Sequence, residues 1–403
     1  MNKNLLFLKR KKARELNKKG WSNRKISRLL SNKDSINQWI KLNEDEVLID
    51  NRGWKKGFPR KYTLEQKEGI IQVRKKLEKE NSYFIGSKVV KKNYENQIGL
   101  KVSKSFVDRT LKEAGMVKSP LKKRKGLSKY MKYPQRTLTK LGKSMMSIDF
   151  IGPKYLYGSN EGVSFLSCKY IRPEKQGIVK RVSGQTTEQA IKILKEIWKD
   201  NPIPDVIKAD NDSAFGANLS HDKCLGRLAL FFLNLGVTPL YVAPRSPWNN
   251  GENEGFNSVF SKKFWNKLQF TDEDEIDIKI KDFNIAYEKY SNLIFDNPKS
   301  NSVRYINEFK DINLENKHVN KFKMHIIYFL RIVRRKNEKG SDKEYGFIEI
   351  LNQEIKMPKK LINLFVFCTL DLKSKKLIIS SELDDGSLKE IKSIKFNIKN
   401  IIY

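Results

Sequence analysis

Along the first 41 positions apolar residues recur at helical spacing in short runs. Ala13 and Leu16 share one face, Gly20 ends that run, and Trp21-Ser22 opens a second run carrying Ile26, Leu29 and Leu30. After Ser31-Asn32-Lys33 a third helix starts near Asp34 and turns Ile36, Trp39 and Ile40 inward. Short helices with a tight polar turn before the third predict a helix-turn-helix over residues 1–50. Helical spacing resumes from Leu64 to Leu77, from Ile85 to Tyr94 and, behind Ser103 as an N-cap, from Lys104 to Ala114. With Phe106, Val107 and Leu111 inward, these runs predict a second helix-turn-helix or winged-helix-like unit over 63–120. The pattern changes at 141. Met145 to Phe150, Val163 to Tyr170 and Gly177 to Val182 read as strands, Thr187 to Trp198 as an amphipathic helix and Asp205 to Asp210 as another strand. That order predicts a mixed α/β core over 141–310. In 321–403 the runs Ile326 to Val333, Phe347 to Leu351, Leu361 to Leu370 and Lys376 to Ile379 are strand-like and predict a small β-barrel.

Charge sharpens this division. The 403-residue chain carries 81 Lys/Arg against 46 Asp/Glu, a formal net charge of +35. Residues 1–140 hold 39 basic and 13 acidic side chains, 141–310 hold 23 and 21, and 311–403 hold 19 and 12. A cationic N-terminal region joined to a nearly neutral core points to a polyanion partner, double-stranded DNA given the helical pattern. The candidate contacts are Arg24, Lys25, Ser35, Asn37 and Gln38 in the first unit and Lys104, Ser105 and Arg109 in the second. Arg60 and Lys61 belong to a basic linker, 51–62, suited to a groove or phosphate backbone. Lys123 and Arg124 belong to a basic connector, 121–140, expected to order on DNA. Arg331, Arg334, Arg335 and Lys336 form a further basic run. The three cysteines are scattered and there are only three histidines, which disfavours a disulfide scaffold or a zinc site. No run approaches a membrane span and no secretion signal is evident, so a cytoplasmic, nucleoid-associated protein with no membrane partner is expected.

Asp149 and Asp210 each close a predicted strand, and carboxylates at neighbouring strand ends can converge at one rim of a sheet. Glu254 follows the turn Pro244 to Gly251 and enters a helix whose Phe256, Val259, Phe260 and Phe264 mark its buried side. Three oxygen ligands without a Cys/His cluster favour Mg2+, with Mn2+ as a substitute. Two ions about 3.5–4 Å apart would suit phosphodiester chemistry. The same residues also fit bland roles: Asp149 capping a turn, Asp210-Asn211-Asp212 in an Asx turn, Glu254 supporting a helix N-terminus. Glu252 is a rival third ligand, but two positions along a helix it points to another side.

The segments around Asp149, Asp210 and Pro244 to Asn257 resemble the integrase-type catalytic core of bacterial insertion-sequence transposases, and more distantly retroviral integrases. The Asn250-Gly251-x-x-Glu254 pattern followed by Phe256-Asn257 is the most specific feature, and Ala209-Asp210-Asn211-x-Ser213-x-Phe215 resembles the family's second aspartate block. The resemblance implies a ribonuclease H-like core, an Asp149, Asp210, Glu254 triad, and a plan covering nearly the whole chain. Asp212 stands where the family usually has glycine, and Gly255 where a basic residue commonly follows the glutamate. The Asp210 to Glu254 interval is also longer than usual.

The resemblance implies a Mg2+-dependent DNA transposase with two ions per site. It would bind terminal inverted repeats, hydrolyse a phosphodiester and join the freed 3'-OH to target DNA as a homo-oligomer, without a small-molecule cofactor. Lys262 and Lys263 on the Glu254 helix would meet phosphates. The alternative is a catalytically degenerate, transposase-derived, sequence-specific DNA-binding regulator. A structure-specific nuclease without strand transfer is a third reading.

Overall fold

Ser22 and Asn32 lack helical backbone angles, and each turns its side-chain oxygen back onto an amide three residues on, Lys25 and Ser35. Those caps start α2 (Asn23–Leu29) and α3 (Lys33–Ile40), which follow α1 (Lys3–Lys18) and precede a short α4 (Glu44–Val47). The computed structural model describes residues 3–47, 62–117, 133–216, 222–244, 246–295, 304–306, 309, 321–337 and 344–399. The chain divides into two compact units, 1–66 and 67–403. In the first, Leu6 and Ala13 of α1 meet Ile26, Ile36 and Trp39 to form a small core.

The larger unit opens with α5 (Leu64–Lys79), α6 (Ser87–Ile98) and α7 (Lys104–Glu113), the last capped by Ser103. The connector expected to order on DNA is helical over α8 (Gln135–Lys140). Thr137 donates from its amide and its hydroxyl to Glu382, at 2.6 and 2.5 Å, which holds α8 in place.

A nine-stranded sheet carries the rest. Its first half comprises β1 (Met145–Tyr155), β2 (Gly162–Arg172) and β3 (Gly177–Val182) in antiparallel succession, then β4 (Val206–Ala209) parallel to β1 and β5 (Thr238–Tyr241) parallel to β4. The C-terminal strands continue this sheet. β6 (Ile326–Ile332) pairs parallel with β5, and β10 (Phe365–Asp371), β11 (Lys376–Glu382) and β12 (Leu388–Lys395) follow antiparallel. The full order is β12-β11-β10-β6-β5-β4-β1-β2-β3. A separate three-stranded sheet holds β7 (Arg334–Asn337), β8 (Glu344–Ile350) and β9 (Gln353–Met357). Among the described residues the C-terminal third therefore forms open sheets, and the expected barrel closure is not seen.

Period-two alternation sorts side chains to the two faces of the large sheet. Met146, Ile148, Cys168, Ile207, Tyr241 and Phe329 face α9 (Thr187–Asp200) and α10 (Arg227–Leu235), in one cluster that also takes Ile348 and Ile355 from the small sheet. On the opposite face Phe165 and Val179 meet α11 (Gly251–Lys263) and α12 (Glu273–Ile294) through Phe256, Phe260 and Phe283. Phe84, just ahead of α6, stacks on Tyr290 at 4.4 Å, so the second helical group rests on the core. Further along that face Leu138 of α8 covers Met145, Val206, Leu240 and Leu330.

Candidate functional site

A seam of buried polar side chains runs beneath the start of α11. Ser147 donates to Asn250, Asn253 donates to Ser167 at 3.2 Å, and Ser167 donates to the Asp149 carbonyl at 3.1 Å. These bonds fix α11 across β1 and β2, with a cavity on either side of its first turns. One, of about 430 Å3, is lined by Asp149, Asp210, Asp212, Asn250 and Glu254. The other, of about 410 Å3, is lined by Tyr133, Arg172, Lys208, Asn249 and Glu252 over apolar Leu138, Met145, Ile171 and Leu240. Glu252 and Glu254 thus face different cavities.

The structure brings Asp149, Asp210 and Glu254 to one cavity, but each aspartate is engaged locally. Asn257 donates to Asp149 Oδ2 at 2.8 Å, and the Asp212 amide donates to Asp210 Oδ1 at 3.0 Å. Burial raises the Asp149 carboxyl to about 7, with the Asp210 charge adding to the effect and the Asn257 hydrogen bond opposing it. Asp210 is also raised, first by burial. Glu254 is exposed on its helix.

Among the described residues no group of three or more His, Cys, Asp or Glu side chains could hold a metal ion. That finding corrects three expectations: the Mg2+ or Mn2+ cofactor, the metal-dependent Asp149, Asp210, Glu254 enzyme, and the transposase reaction built on it. Sharing a cavity is a weaker condition than converging on one cation, and the Asp149 and Asp210 carboxylates are each held by a local hydrogen bond.

The predicted DNA contacts fall in several environments. Arg24, Lys25 and Gln38 are exposed, and Lys25 lies 4.0 Å over the Trp21 ring. Ser35 and Asn37 are half-buried: the Ser35 amide donates to the Asn32 cap, and Asn37 accepts from Asn23 at 2.8 Å. Lys104, Ser105 and Arg109 are exposed on α7, where Lys104 pairs with Asp108 at 2.6 Å. Lys262 is exposed, whereas Lys263 is half-buried, with its ammonium lowered by burial and by Lys267 and Arg74. Arg335 pairs with Glu344 at 3.1 Å, beside half-buried Arg334. Arg331 is not on this basic edge: it is buried and donates to the carbonyls of Glu349, Val242 and Leu330 at 2.8, 3.0 and 2.9 Å. Arg60, Lys61, Lys123 and Arg124 lie outside the described residues.

Sequence reasoning quoted Asn257 in the motif after Glu254 without giving it a role, and gave none to Lys208 or Asn249. The signal for Lys208 was a lysine in the otherwise apolar strand run Val206 to Ala209.

No protein-family model and no curated protein sequence matches the chain. Among solved structures the chain is similar to the simian T-cell lymphotropic virus intasome in complex with the PP2A regulatory subunit B56 gamma. That match has a TM-score of 0.32 and 13% identity over 72% of this chain and 96% of that one. Among the described residues no helix is long and apolar enough to cross a membrane.

Proposed function

We propose that the chain is a sequence-specific DNA-binding regulator derived from an insertion-sequence transposase, whose ribonuclease H-like core serves as a scaffold. The observation that carries this reading is the N-terminal three-helix unit. In it α2 and α3 are joined by a capped polar turn, and Arg24, Lys25 and Gln38 stay exposed. That is the arrangement a major-groove reader needs, on the part of the chain that holds most of the net positive charge. The Ser103-capped α7, with exposed Lys104, Ser105 and Arg109, supplies a second surface for phosphates or bases. The core's β3-β2-β1-β4-β5 order, with helices on both faces, supports the ribonuclease H-like assignment. Its carboxylate cavity, lacking a metal-holding cluster, favours binding over cutting.

The test selects duplexes from a randomised pool with the full chain, then titrates the selected and scrambled duplexes across salt. The selected duplex should bind tighter by about 1,000-fold or more, with affinity for both falling steeply as salt rises. Equal affinity at every salt concentration would reduce the protein to a general polycation binder. Added Mg2+ or Mn2+ should produce no nicked DNA. A cleavage product that disappears in Asp149→Asn would overturn the scaffold reading of the core.

A further inference from the structure

The cavity beneath α8 is built differently from its acidic neighbour. Lys208 reaches it from β4 while only 7% exposed, and its ammonium makes no hydrogen bond or ion pair within the described chain. Asn249, 1% exposed, also lines it, and among the described residues neither its amide nitrogen nor its oxygen has a partner. Arg172, from β2, donates to the Leu141 carbonyl while its buried Nε has no partner. Glu252 supplies one negative charge to the lining against the two cations. Leu138, Met145, Ile171 and Leu240 provide an apolar bed, and Tyr133 closes one side with its hydroxyl donating to the Asn249 carbonyl at 3.3 Å.

Such a lining costs stability unless something answers its polar groups. A largely buried lysine with no hydrogen-bonded partner among the described residues, offset only by the more distant Glu252 charge, and a buried amide with no hydrogen bond are each unfavourable. Burial lowers the Lys208 ammonium to about 8, with Glu252 acting in the opposite sense, so the group stays largely cationic near neutral pH and faces the cavity charged.

We propose that this cavity binds a nucleotide, its singly charged phosphate on Lys208 and Arg172, its base on the apolar bed, and the base edge read by the Asn249 amide. The lining's net single positive charge matches a phosphodiester or a singly ionised phosphate. An amide offering a donor and an acceptor together is the group that pairs bidentately with a base edge. The volume, about 410 Å3, falls within the range that holds small ligands. The nucleotide can be free or one unit of a strand turned out of its stack. The site stands on core residues alone and does not depend on the N-terminal DNA-reading surface.

The experiment is calorimetric titration of the full chain with dAMP, dGMP, dCMP and dTMP, with a dinucleotide phosphodiester, and with inorganic phosphate. At least one nucleotide or the dinucleotide should saturate one site with a dissociation constant below about 1 mM, and phosphate should bind more weakly. Preference for the dinucleotide would identify the strand as the source, and preference for a mononucleotide the free ligand. Lys208→Met should weaken binding by about tenfold or more, and Asn249→Ala should flatten the preference among bases. Lys192→Met, exposed on α9, should leave both unchanged. Hydrogen exchange on the unmodified protein gives a readout that needs no variant: ligand should protect residues 133–141 and 249–252. Absence of saturable binding by every probe would overturn the proposal. So would protection confined to other segments, or binding unchanged in folded Lys208→Met and Asn249→Ala.

Discussion

The N-terminal helices and the C-terminal strands are both short elements, yet they relate to their surroundings in opposite ways. Residues 3–47 gather Leu6, Ala13, Ile26, Ile36 and Trp39 into a core of their own. In residues 321–399, Phe329, Ile355 and Cys368 share a cluster with Ile148, Leu194 and Phe231 of the core, and Leu330 and Phe365 share another with Met145 and Val206. The backbone says the same, since β6 pairs with β5 on one edge and with β10 on the other, joining the C-terminal strands to the core sheet. The N-terminal region therefore has a core of its own, whereas the C-terminal third is part of the core's fabric.

The sharpest way to break this comparison is truncation. A chain ending at residue 320 strips β5 of its β6 partner and exposes the side chains that Phe329, Val333, Val366, Cys368 and Leu370 cover. At about 1.5–3 kcal/mol for each buried side chain, the loss is on the order of 10 kcal/mol, comparable to the whole stability of a domain. The truncated chain should lose cooperative unfolding of the core in calorimetry and circular dichroism. A cooperative transition near the full-length midpoint would show that the C-terminal strands form a separate module after all. Removing residues 1–62 should leave the core transition in place.

Arg331 tests the same joint at a single side chain. Its guanidinium bonds the Val242 carbonyl beyond β5 and the Glu349 carbonyl of β8, so it ties both sheets together. Burial lowers it to about 10, which leaves it charged at neutral pH. Arg331→Met keeps much of the volume but removes the guanidinium's bonds to those carbonyls, of which Val242's retains the Asn211 side-chain amide as a donor, costing about 1–3 kcal/mol. Denaturant unfolding should show the loss in the core transition alone, and an unchanged midpoint would mean that the ties are dispensable.

The helices of the first 114 residues were legible because their information is local. Ser22, Asn32 and Ser103 are polar cap residues ahead of apolar runs, and the chain obeys them. The first four strands of the core were legible as apolar runs, and with them the placing of Asp149, Asp210 and Glu254 on one cavity. Pairing between distant segments was not. Nothing in Ile326 to Ile332 says that its partner is Leu240 and Tyr241 rather than another C-terminal strand. β12 was missed because it is an edge strand, mostly polar and rich in lysine, with little apolar alternation to reveal it. The β8–β9 hairpin hides behind Leu351 and Asn352, both in the left-handed region that a two-residue hairpin turn requires, although leucine is an unusual residue there. Whether three carboxylates converge on a cation depends on distances and competing hydrogen bonds, such as that from Asn257 to Asp149, which spacing along a chain does not encode.

Asp149 offers a smaller test, inside the core. Its carboxyl titrates near 3.8 when unperturbed and at about 7 in the fold, chiefly through burial. Between those values the native state holds a proton that the unfolded chain has released. Its contribution to stability therefore falls as pH rises through that window and is least favourable above about 7. Asp149→Asn removes the titration while keeping a side-chain oxygen for Asn257. The variant should match the parent near pH 4 and exceed it at pH 8, by a margin that grows as pH rises through the window. A constant difference across that range, followed by thermal unfolding, would show that Asp149 ionises freely in the folded protein.

The smallest expected effect lies in the N-terminal unit and sharpens the comparison most directly. Asn32 caps α3 by accepting the Ser35 amide at 2.8 Å, and its own side chain is exposed, so Asn32→Ala removes the cap with little loss of packing. The cost should be about 1 kcal/mol. In a unit with so few buried apolar residues that is a sizeable fraction of its stability, and by independence it should leave the core transition unmoved. Hydrogen exchange read segment by segment gives the measurement. Amides of α2 and α3 should exchange about fivefold faster, following RT ln of the rate ratio, while those of β1 and β4 keep their rates. Faster exchange in the sheet would mean that the two units unfold together, and that the N-terminal unit's separate core does not give it a separate stability.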